Sequence, residues 1–325
     1  MIDVHAHYLP PAVLEQAAAG AIPGVGFDTE NSRVLLPDGP TRPVPPALSS
    51  LDRDVWCSDR RIQLQVLSPW LDCIGDHLDA DQARYWCRAL NDGTALDIDG
   101  RVSFAGMAAL PITDGALAAE ELRRCVDDLH FVGGAIPTQV RGMNLDDVDL
   151  EPLYEAASGL GVPLFVHPHR VLGADRMAKD FLTNVCGNPF ETTVTAFSLY
   201  LSGVFDRWPD LKVLLAHCGG TLPMLAGRAA QASRAGKLER RSIETADDVL
   251  DCFHYDTVVH DPGVLAFALA RLGHDRIHLG TDLPFPMVVD DPIGLIKTAI
   301  TATGEDPLAF DTITRTNPAR LLGLA

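Results

Sequence analysis

The chain has 325 residues, of which 47% are hydrophobic and 22% charged, a composition that supports a large folded core and excludes a mostly disordered protein. Its formal net charge of −18 makes nucleic acids and anionic membrane surfaces unfavourable partners, because the long-range electrostatic field repels both. If the substrate is itself an anion, local positive charge must reverse that field inside the binding pocket.

Eight short β-rich runs recur along the chain, and each is followed by a stretch with the helical spacing of alanine, leucine and charged residues. This alternation predicts a parallel α/β fold. Eight strands is the number of a (β/α)8 TIM barrel, with an open doubly wound sheet as the alternative. The predicted strands are Ile2–His7, Ile62–Ser68, Val102–Ala108, Gly134–Gln139, Pro163–His167, Lys212–His217, Cys252–Val258 and Arg276–Asp282.

Residues 21–50 interrupt this rhythm directly after the first strand. The segment is rich in glycine and proline and contains an apolar patch at Arg33–Pro37. We therefore interpret residues 1–325 as a single barrel domain with 21–50 as a small insertion. Two interpretations of the insertion stay open: a hairpin flap over the barrel mouth, or a surface excursion without a role.

Polar side chains end four of the otherwise apolar strands. The first strand ends in His5 and His7, which period-two alternation places on one face. The fifth strand ends at His167, the sixth at His217 and the eighth at Asp282. Because the C-terminal ends of barrel strands meet in one mouth, these residues become neighbours. Burying one of these polar side chains without a partner costs about 1–3 kcal/mol. A metal ion bound by several of them would explain why they lie together at the strand ends.

The chain resembles the amidohydrolase superfamily (amidohydrolase-related family 2), in the branch typified by 2-amino-3-carboxymuconate-6-semialdehyde decarboxylase. The resemblance covers most of the chain and is strongest from about residue 163 to 286. The segments that carry it are His5–His7, Phe165–Pro168, Arg176–Lys179, Glu191–Thr193, Gly203–Phe205, Ala216–Gly220, Val259–Pro262 and Gly280–Pro286.

This resemblance implies one divalent metal ion per subunit, with His5, His7, His167 and Asp282 as its ligands. Zn2+ is the usual ion in the family and Mn2+ an alternative. Other superfamily members bridge a second ion with a carbamylated lysine at the end of the fourth strand, but no lysine of this chain lies at a suitable strand end. The lysines are Lys179, Lys212, Lys237 and Lys297.

The resemblance further implies a non-oxidative decarboxylase of a small unsaturated or aromatic carboxylate. In such an enzyme a metal-bound water and His217 handle the proton transfer, and Asp282 ligates the metal or relays a proton. The alternative is a metal-dependent hydrolase or hydratase that uses the same water as nucleophile. A non-catalytic binding protein on a retained barrel is the third hypothesis.

Several arginines and a histidine are candidates for binding the substrate. The family arginine that matches Arg228 reaches the neighbouring subunit's site and holds a substrate carboxylate, so the resemblance implies a homodimer; an ordinary surface arginine is the alternative. Arg42 is the candidate from the insertion, with Arg53 as its alternative. His169 and Arg170 stand where the typical decarboxylase has a tryptophan-aspartate pair. The substrate therefore either matches that of the namesake decarboxylase or is of the resorcylate or carboxyvanillate type.

The seven cysteines are odd in number and form no C-x-x-C pair, which favours reduced thiols in a cytoplasm. The first residues lack the order of a signal peptide, and no apolar run approaches the roughly 20 residues of a membrane span. We therefore expect a cytoplasmic protein. His260, which follows the seventh strand, is expected either to line the pocket or to cap a loop.

Overall fold

The computed structural model describes residues 1–304 and 306–324, and fourteen strands lie within them. The strands are β1 (Ile2–Tyr8), β2 (Gly26–Asp28), β3 (Arg33–Leu36), β4 (Gly39–Pro40), β5 (Leu64–Pro69), β6 (Phe104–Gly106), β7 (Ala108–Ala109), β8 (Gly134–Pro137), β9 (Gln139–Val140), β10 (Met143–Asn144), β11 (Pro163–His167), β12 (Lys212–Leu215), β13 (His254–Asp256) and β14 (Ile277–His278). Parallel pairing gives the orders β1-β5-β6 and β14-β13-β12-β11-β8-β7.

Backbone hydrogen bonds join these two sheets into a closed barrel. The amide of Val4 donates to the carbonyl of Leu279 at 2.9 Å, which connects the first strand to the last. At the other junction, β6 and β7 are consecutive segments of one barrel strand: β6 pairs with β5, and β7 pairs with β8. The amide of Met107, which lies between β6 and β7, donates to the carbonyl of Leu67 in β5 at 2.9 Å. The predicted TIM barrel is therefore confirmed, and the open sheet is wrong.

Helices cover the outside of the barrel and alternate with its strands. They are α1 (Pro11–Ala18), α2 (Asp54–Asp59), α3 (Ala80–Ile98), α4 (Gly115–Asp127), α5 (Glu151–Leu160), α6 (Asn188–Leu201), α7 (Val204–Arg207), α8 (Leu222–Arg234), α9 (Asp247–Leu250), α10 (Pro262–Leu272), α11 (Pro292–Thr303), α12 (Ala309–Asp311) and α13 (Asn317–Leu321). Local sequence fixes some of the starts: Asp79 and Gln82 form a reciprocal capping box that begins α3. Within the described residues, no helix is both long and apolar enough to cross a membrane.

The barrel strands read as continuous apolar runs because both of their faces are buried. In β11, Leu164, Phe165 and Val166 are fully buried between the barrel interior and the surrounding helices. Each such side chain contributes about 1.5–3 kcal/mol when it is removed from water. This packing gives the polar residue at the strand's end, His167, a rigid support.

The insertion after β1 forms a small antiparallel sheet of the order β2-β3-β4. Val34 and Leu48 are fully buried there, in an apolar cluster that also contains Leu9 and Trp70. The amide of Leu9 donates to the carbonyl of Leu48 at 3.0 Å, which attaches the segment beside the C-terminal end of β1. The division of the chain into one domain with 21–50 as a flap stays a prediction.

Several predicted strand ends differ from the structure, and two of the wrong ones concern residues of the proposed site. The sixth barrel strand ends at Leu215 rather than at His217, and the eighth ends at His278 rather than at Asp282. His217 and Asp282 have φ angles of +55° and +64°, so each lies in a turn. The apolar sequence continues past both strand ends, and periodicity therefore did not mark the change in backbone direction.

Candidate metal centre

Four side chains from distant parts of the sequence meet at the C-terminal mouth of the barrel. The Nε2 atoms of His5 and His7 are 3.0 Å apart, and Oδ1 of Asp282 lies 3.3 and 3.2 Å from them. One ligand atom each from His5, His7, His167 and Asp282 lies within 4.8 Å of the others. Two donors about 2.1 Å from one ion are roughly 3.0–3.4 Å apart, so the three measured distances fit a common cation.

Asp256, at the end of β13, orients His5. Its Oδ2 accepts hydrogen bonds from Nδ1 of His5 at 2.6 Å and from the backbone amide of His217 at 3.0 Å. Its Oδ1 accepts from the backbone amides of Cys218 and Val258. Burial would raise the pKa of Asp256, but the hydrogen bond and charge of His5, together with His217 and the backbone amide of Val258, lower it below its usual value. The ionised carboxylate therefore holds the proton of His5 on Nδ1 and leaves Nε2 free for a metal.

His7 and His167 are oriented in the same way. Nδ1 of His7 lies 2.9 Å from the hydroxyl of Ser68, and that hydroxyl donates its own proton to the carbonyl of Ala6 at 3.1 Å. Ser68 therefore accepts from His7. Nδ1 of His167 lies 3.1 Å from the carbonyl of Pro168, which is also only an acceptor. Both imidazoles thus carry their proton on Nδ1 and keep the Nε2 lone pair for a ligand.

The charges of the cluster also fit a bound cation. Oδ1 of Asp282 is buried and accepts no hydrogen bond. Burial would raise the pKa of Asp282, but the neighbouring imidazoles, His5 foremost, hold it well below its usual range. Burial lowers the pKa of His7 and of His167. For His5, burial acts in the same direction, but the carboxylates of Asp282 and Asp256 reverse it and raise the pKa to about 10.

His217 lies beside this cluster. Its Nε2 is 3.9 Å from Oδ2 of Asp282, and its ring centroid is 5.2 Å from that of His167. A tight turn presents it, in which the φ angles of four consecutive residues are positive, from His217 to Gly220. Glycine is required at the last position, because a Cβ on Gly220 would lie 1.8 Å from the carbonyl oxygen of Pro189.

A cavity of about 640 Å3 opens over the cluster, a volume typical of small-molecule sites. His167, His217 and Asp282 form its floor. Its apolar walls are Leu36, Trp70, Leu71, Val171, Met177, Phe181 and Phe285. Residues between 36 and 45 of the insertion form one side, so the insertion lies at the barrel mouth.

The predicted substrate-binding residues fall in two places. Arg42, His169 and Arg170 line the cavity, and so does His260, the histidine after the seventh strand. Arg228 lies elsewhere, exposed on α8, and is not among the described residues that line the cavity.

Arg53, the alternative to Arg42, is buried behind the first strand. Its Nη2 donates to the backbone carbonyl of His7 at 2.7 Å, and its Nε donates to the carbonyl of Ser50 at 3.0 Å. Arg53 therefore supports the backbone of the metal cluster and does not line the cavity.

This chain is similar to known proteins over most of its length. A family model described as "Amidohydrolase" matches residues 2–324. The chain is 31% identical over 300 residues to the 2-amino-3-carboxymuconate-6-semialdehyde decarboxylase of Dictyostelium discoideum, covering 88% of this chain and 82% of that protein. It is 31% identical over 255 residues to a gamma-resorcylate decarboxylase of Polaromonas sp., covering 72% and 77%.

A solved structure extends the comparison to three dimensions. The crystal structure of a dihydroxybenzoic acid decarboxylase from Polaromonas sp. JS666, with bound manganese and the inhibitor 2-nitroresorcinol, matches with a TM-score of 0.77 at 25% identity. The match covers 99% of this chain and 96% of that one. The fold is thus shared over almost the whole length of both chains.

Proposed function

This chain belongs to the amidohydrolase family, and we propose that it is a metal-dependent, non-oxidative decarboxylase of a small unsaturated or aromatic carboxylate. One observation carries the proposal: three imidazoles and a carboxylate converge within 4.8 Å, and a further imidazole, that of His217, lies 3.9 Å from the carboxylate. A cation site with an adjacent proton donor is what removal of CO2 from an anionic substrate requires.

His5, His7, His167 and Asp282 would hold one divalent ion, for which we propose Zn2+. Three imidazole nitrogens and one carboxylate oxygen suit Zn2+ and also Mn2+, the ion bound in the Polaromonas structure. When bound, the ion supplies a Lewis acid that polarises a substrate oxygen and acidifies a water molecule.

In this proposal His217 is the proton donor and Asp282 assists it. His217 delivers a proton to the substrate carbon that carries the carboxylate. The bond from that carbon to the carboxylate then breaks, its electron pair restores the unsaturated system, and CO2 leaves. The delivered proton stays on the carbon, and solvent reprotonates His217. Asp282, 3.9 Å away, orients the imidazole and relays protons to it.

The walls of the cavity favour a flat, unsaturated substrate. The rings of Trp70 and Phe285 lie 6.3 Å apart, and Phe285 lies 5.0 Å from His7. Aromatic walls beside a cation site suit a ring that carries a carboxylate. We propose that Arg42, His169 and Arg170 contact the part of the substrate that is remote from the metal.

We also propose a homodimer in which Arg228 reaches the partner's site. The Arg228 side chain is exposed on α8, with no ion pair or hydrogen bond to the described part of the chain. Met224 lies one turn before it on the same face and is 72% exposed. Further exposed apolar side chains lie between β11 and α6 or on α6 itself: Leu172, Phe181, Val185 and Phe190. Such surfaces are typical of protein interfaces.

A cytoplasmic location remains our prediction. All seven cysteines are free thiols, as expected for a reducing compartment.

The proposal is tested by measuring CO2 and the decarboxylated product after the Mn2+-loaded or Zn2+-loaded protein has been incubated with 2,6-dihydroxybenzoate and related carboxylates. We expect CO2 release, and a loss of about 10²–10⁴-fold in His217→Gln with the metal content unchanged. His77→Gln, which alters an exposed histidine, is the matched control. Hydrolysed or hydrated product without CO2 would favour the hydrolase or hydratase, and stoichiometric metal without any turnover would favour the binding protein.

A further inference from the structure

The charged side chains of the cavity wall neutralise one another. Arg42, from the insertion, pairs with Asp72 after β5: Nη2 and Nε of the guanidinium lie 2.7 and 2.8 Å from Oδ2 of the carboxylate. Both contacts use the same oxygen, and Nη1 of Arg42 reaches the amide oxygen of Asn184 at 3.5 Å. The guanidinium is therefore already engaged on the side that faces the barrel.

Arg170 is engaged still more fully. Its Nη2 forms an ion pair with Asp38 of the insertion and lies 3.5 Å from Oδ1 of Asp76. Its Nε donates to Nε2 of His169 at 2.9 Å, which makes that imidazole a neutral acceptor at this nitrogen. Asp76 is fully buried, and its other oxygen accepts from the backbone amide of Arg141 at 3.0 Å.

Two guanidiniums thus face three carboxylates: Asp38 and Asp72 line the cavity, and Asp76 is fully buried beside Arg170. Each guanidinium of the wall is thus paired with a carboxylate, and a divalent ion at the metal centre would supply positive charge at the floor of the described cavity. A substrate carboxylate that approached Arg170 would have to displace an aspartate, and one that approached Arg42 would lie beside the carboxylate of Asp72 or displace it. The displaced carboxylate would remain partly buried and uncompensated, since the side chains of Asp38 and Asp72 are only 19% and 22% exposed.

The geometry points to a substrate with a single carboxylate, whose end remote from the metal carries no negative charge. The inference rests on the proposed function and narrows its substrate class from carboxylates in general to monocarboxylates. Asp38 is the residue that sets this selectivity, because it brings a negative charge from the insertion to Arg170. The negative charge of Asp38 repels a second carboxylate. It therefore acts more by lowering the affinity for a dicarboxylate than by raising the affinity for a monocarboxylate.

The test compares two probes that differ only in a second carboxylate, 2-hydroxybenzoate and 4-hydroxybenzene-1,3-dicarboxylate. Their affinities for the Mn2+-loaded protein are measured by calorimetry, which needs no turnover. We expect the monocarboxylate to bind about tenfold or more tightly than the dicarboxylate. In Asp38→Asn we expect this ratio to fall to about threefold or less, because one of the two negative charges beside Arg170 is then removed.

Glu30→Gln is the matched control, because it removes one negative charge from an exposed position of the same insertion and should leave the ratio unchanged. Asp72→Asn, which releases Arg42, serves as a second variant should Asp38→Asn fold poorly. Equal or tighter binding of the dicarboxylate by the unaltered protein, an unchanged ratio in both variants, or no binding of either probe would overturn the inference. CO2 release in the separate assay reports on the proposed function independently of this ratio.

Discussion

At the scale of single residues, Asp256 connects the two halves of the candidate site. One of its oxygens accepts from the ring of His5, and the same oxygen accepts from the backbone amide of His217. A single carboxylate therefore fixes the tautomer of a metal ligand and also the turn that presents the proposed proton donor. Such outer-sphere partners commonly affect metal affinity by 10–100-fold.

Replacing Asp256 with asparagine tests this connection. The amide nitrogen that would replace Oδ2 is a donor facing two donors, so the proton of His5 should move to Nε2, where it blocks the metal. We expect metal affinity to fall by about 10–100-fold, measured by competition with a chromophoric chelator. Asp251→Asn, an exposed substitution in the preceding turn, should leave the affinity unchanged. Wild-type affinity in Asp256→Asn would show that the carboxylate does not set the tautomer.

The apolar runs that precede them predict His5, His7, His167, His217 and Asp282 as neighbours at predicted strand ends, and the family resemblance then implies that all of them except His217 are the metal ligands. Asp256 escapes this reasoning. It also ends a barrel strand, but a lone aspartate within a predicted strand suggests no partner until the fold brings His5 to it. The contacts of Arg53 with the backbone of β1 are equally invisible, because they depend on the path of the insertion rather than on any pattern.

At the scale of elements, the apolar strands and the helical stretches between them were predictable, whereas the docking of the insertion was not. The alternation of strand and helix is repeated eight times, so it predicts the fold class even when one strand or helix is assigned wrongly. Two long-range ion pairs, Arg170 with Asp38 and Arg42 with Asp72, join residues 36–45 to the rest of the cavity wall. Nothing local in the sequence links these residues, and the flap therefore stayed an open interpretation.

The packing of α3 against α4 contains a buried carboxylate whose protonation should affect stability. Glu121 is 2% exposed and accepts from Nη2 of Arg124 at 2.7 Å and from the side-chain amide of Asn91 at 2.7 Å. Burial would raise the pKa of Glu121, but the hydrogen bond from Arg124 and the neighbouring donors lower it below its usual value. Because the folded-state pKa is the lower one, the carboxylate stabilises the fold above about pH 4.3, the value for unfolded glutamate, and loses this effect as the pH falls through the folded-state pKa.

We therefore expect Glu121→Gln to lower the free energy of unfolding by about 1–3 kcal/mol near neutral pH. The difference from the unaltered protein should shrink as the pH falls below about 4.3, where the native carboxylate is progressively protonated. Urea unfolding followed by circular dichroism at several pH values measures both quantities. Glu120→Gln, at the exposed neighbouring position, is the control. A difference that is independent of pH would contradict the assignment of this effect to ionisation.

At the scale of the whole molecule, the metal site joins residues that are 277 positions apart in the sequence, from His5 to Asp282. An ion held there binds the folded chain and not the unfolded one, so it stabilises the fold by about 4 kcal/mol when its free concentration is a thousandfold above its Kd. We expect chelation to lower the melting temperature by several degrees, measured by scanning calorimetry. In Asp282→Asn, chelation should change the melting temperature less. If chelation left the melting temperature of a protein shown to contain the ion unchanged, the expected stabilisation of the fold by the ion would be contradicted.

The proposed sharing of sites between two subunits is tested by heterodimers that carry His217→Gln in one chain and Arg228→Ala in the other, isolated through two different affinity tags. If Arg228 serves the partner's cavity, the site of the Arg228→Ala chain has both an intact His217 and an intact partner arginine. We therefore expect about half of the wild-type rate of CO2 release per dimer.

The matched control places both substitutions in one chain beside a wild-type chain. Each site of that heterodimer then lacks either His217 or the partner's Arg228, and activity should be lost. The opposite pattern, with activity only in this second arrangement, would show that Arg228 acts within its own subunit, and full activity of the Arg228→Ala homodimer would show that it does not contribute to the site.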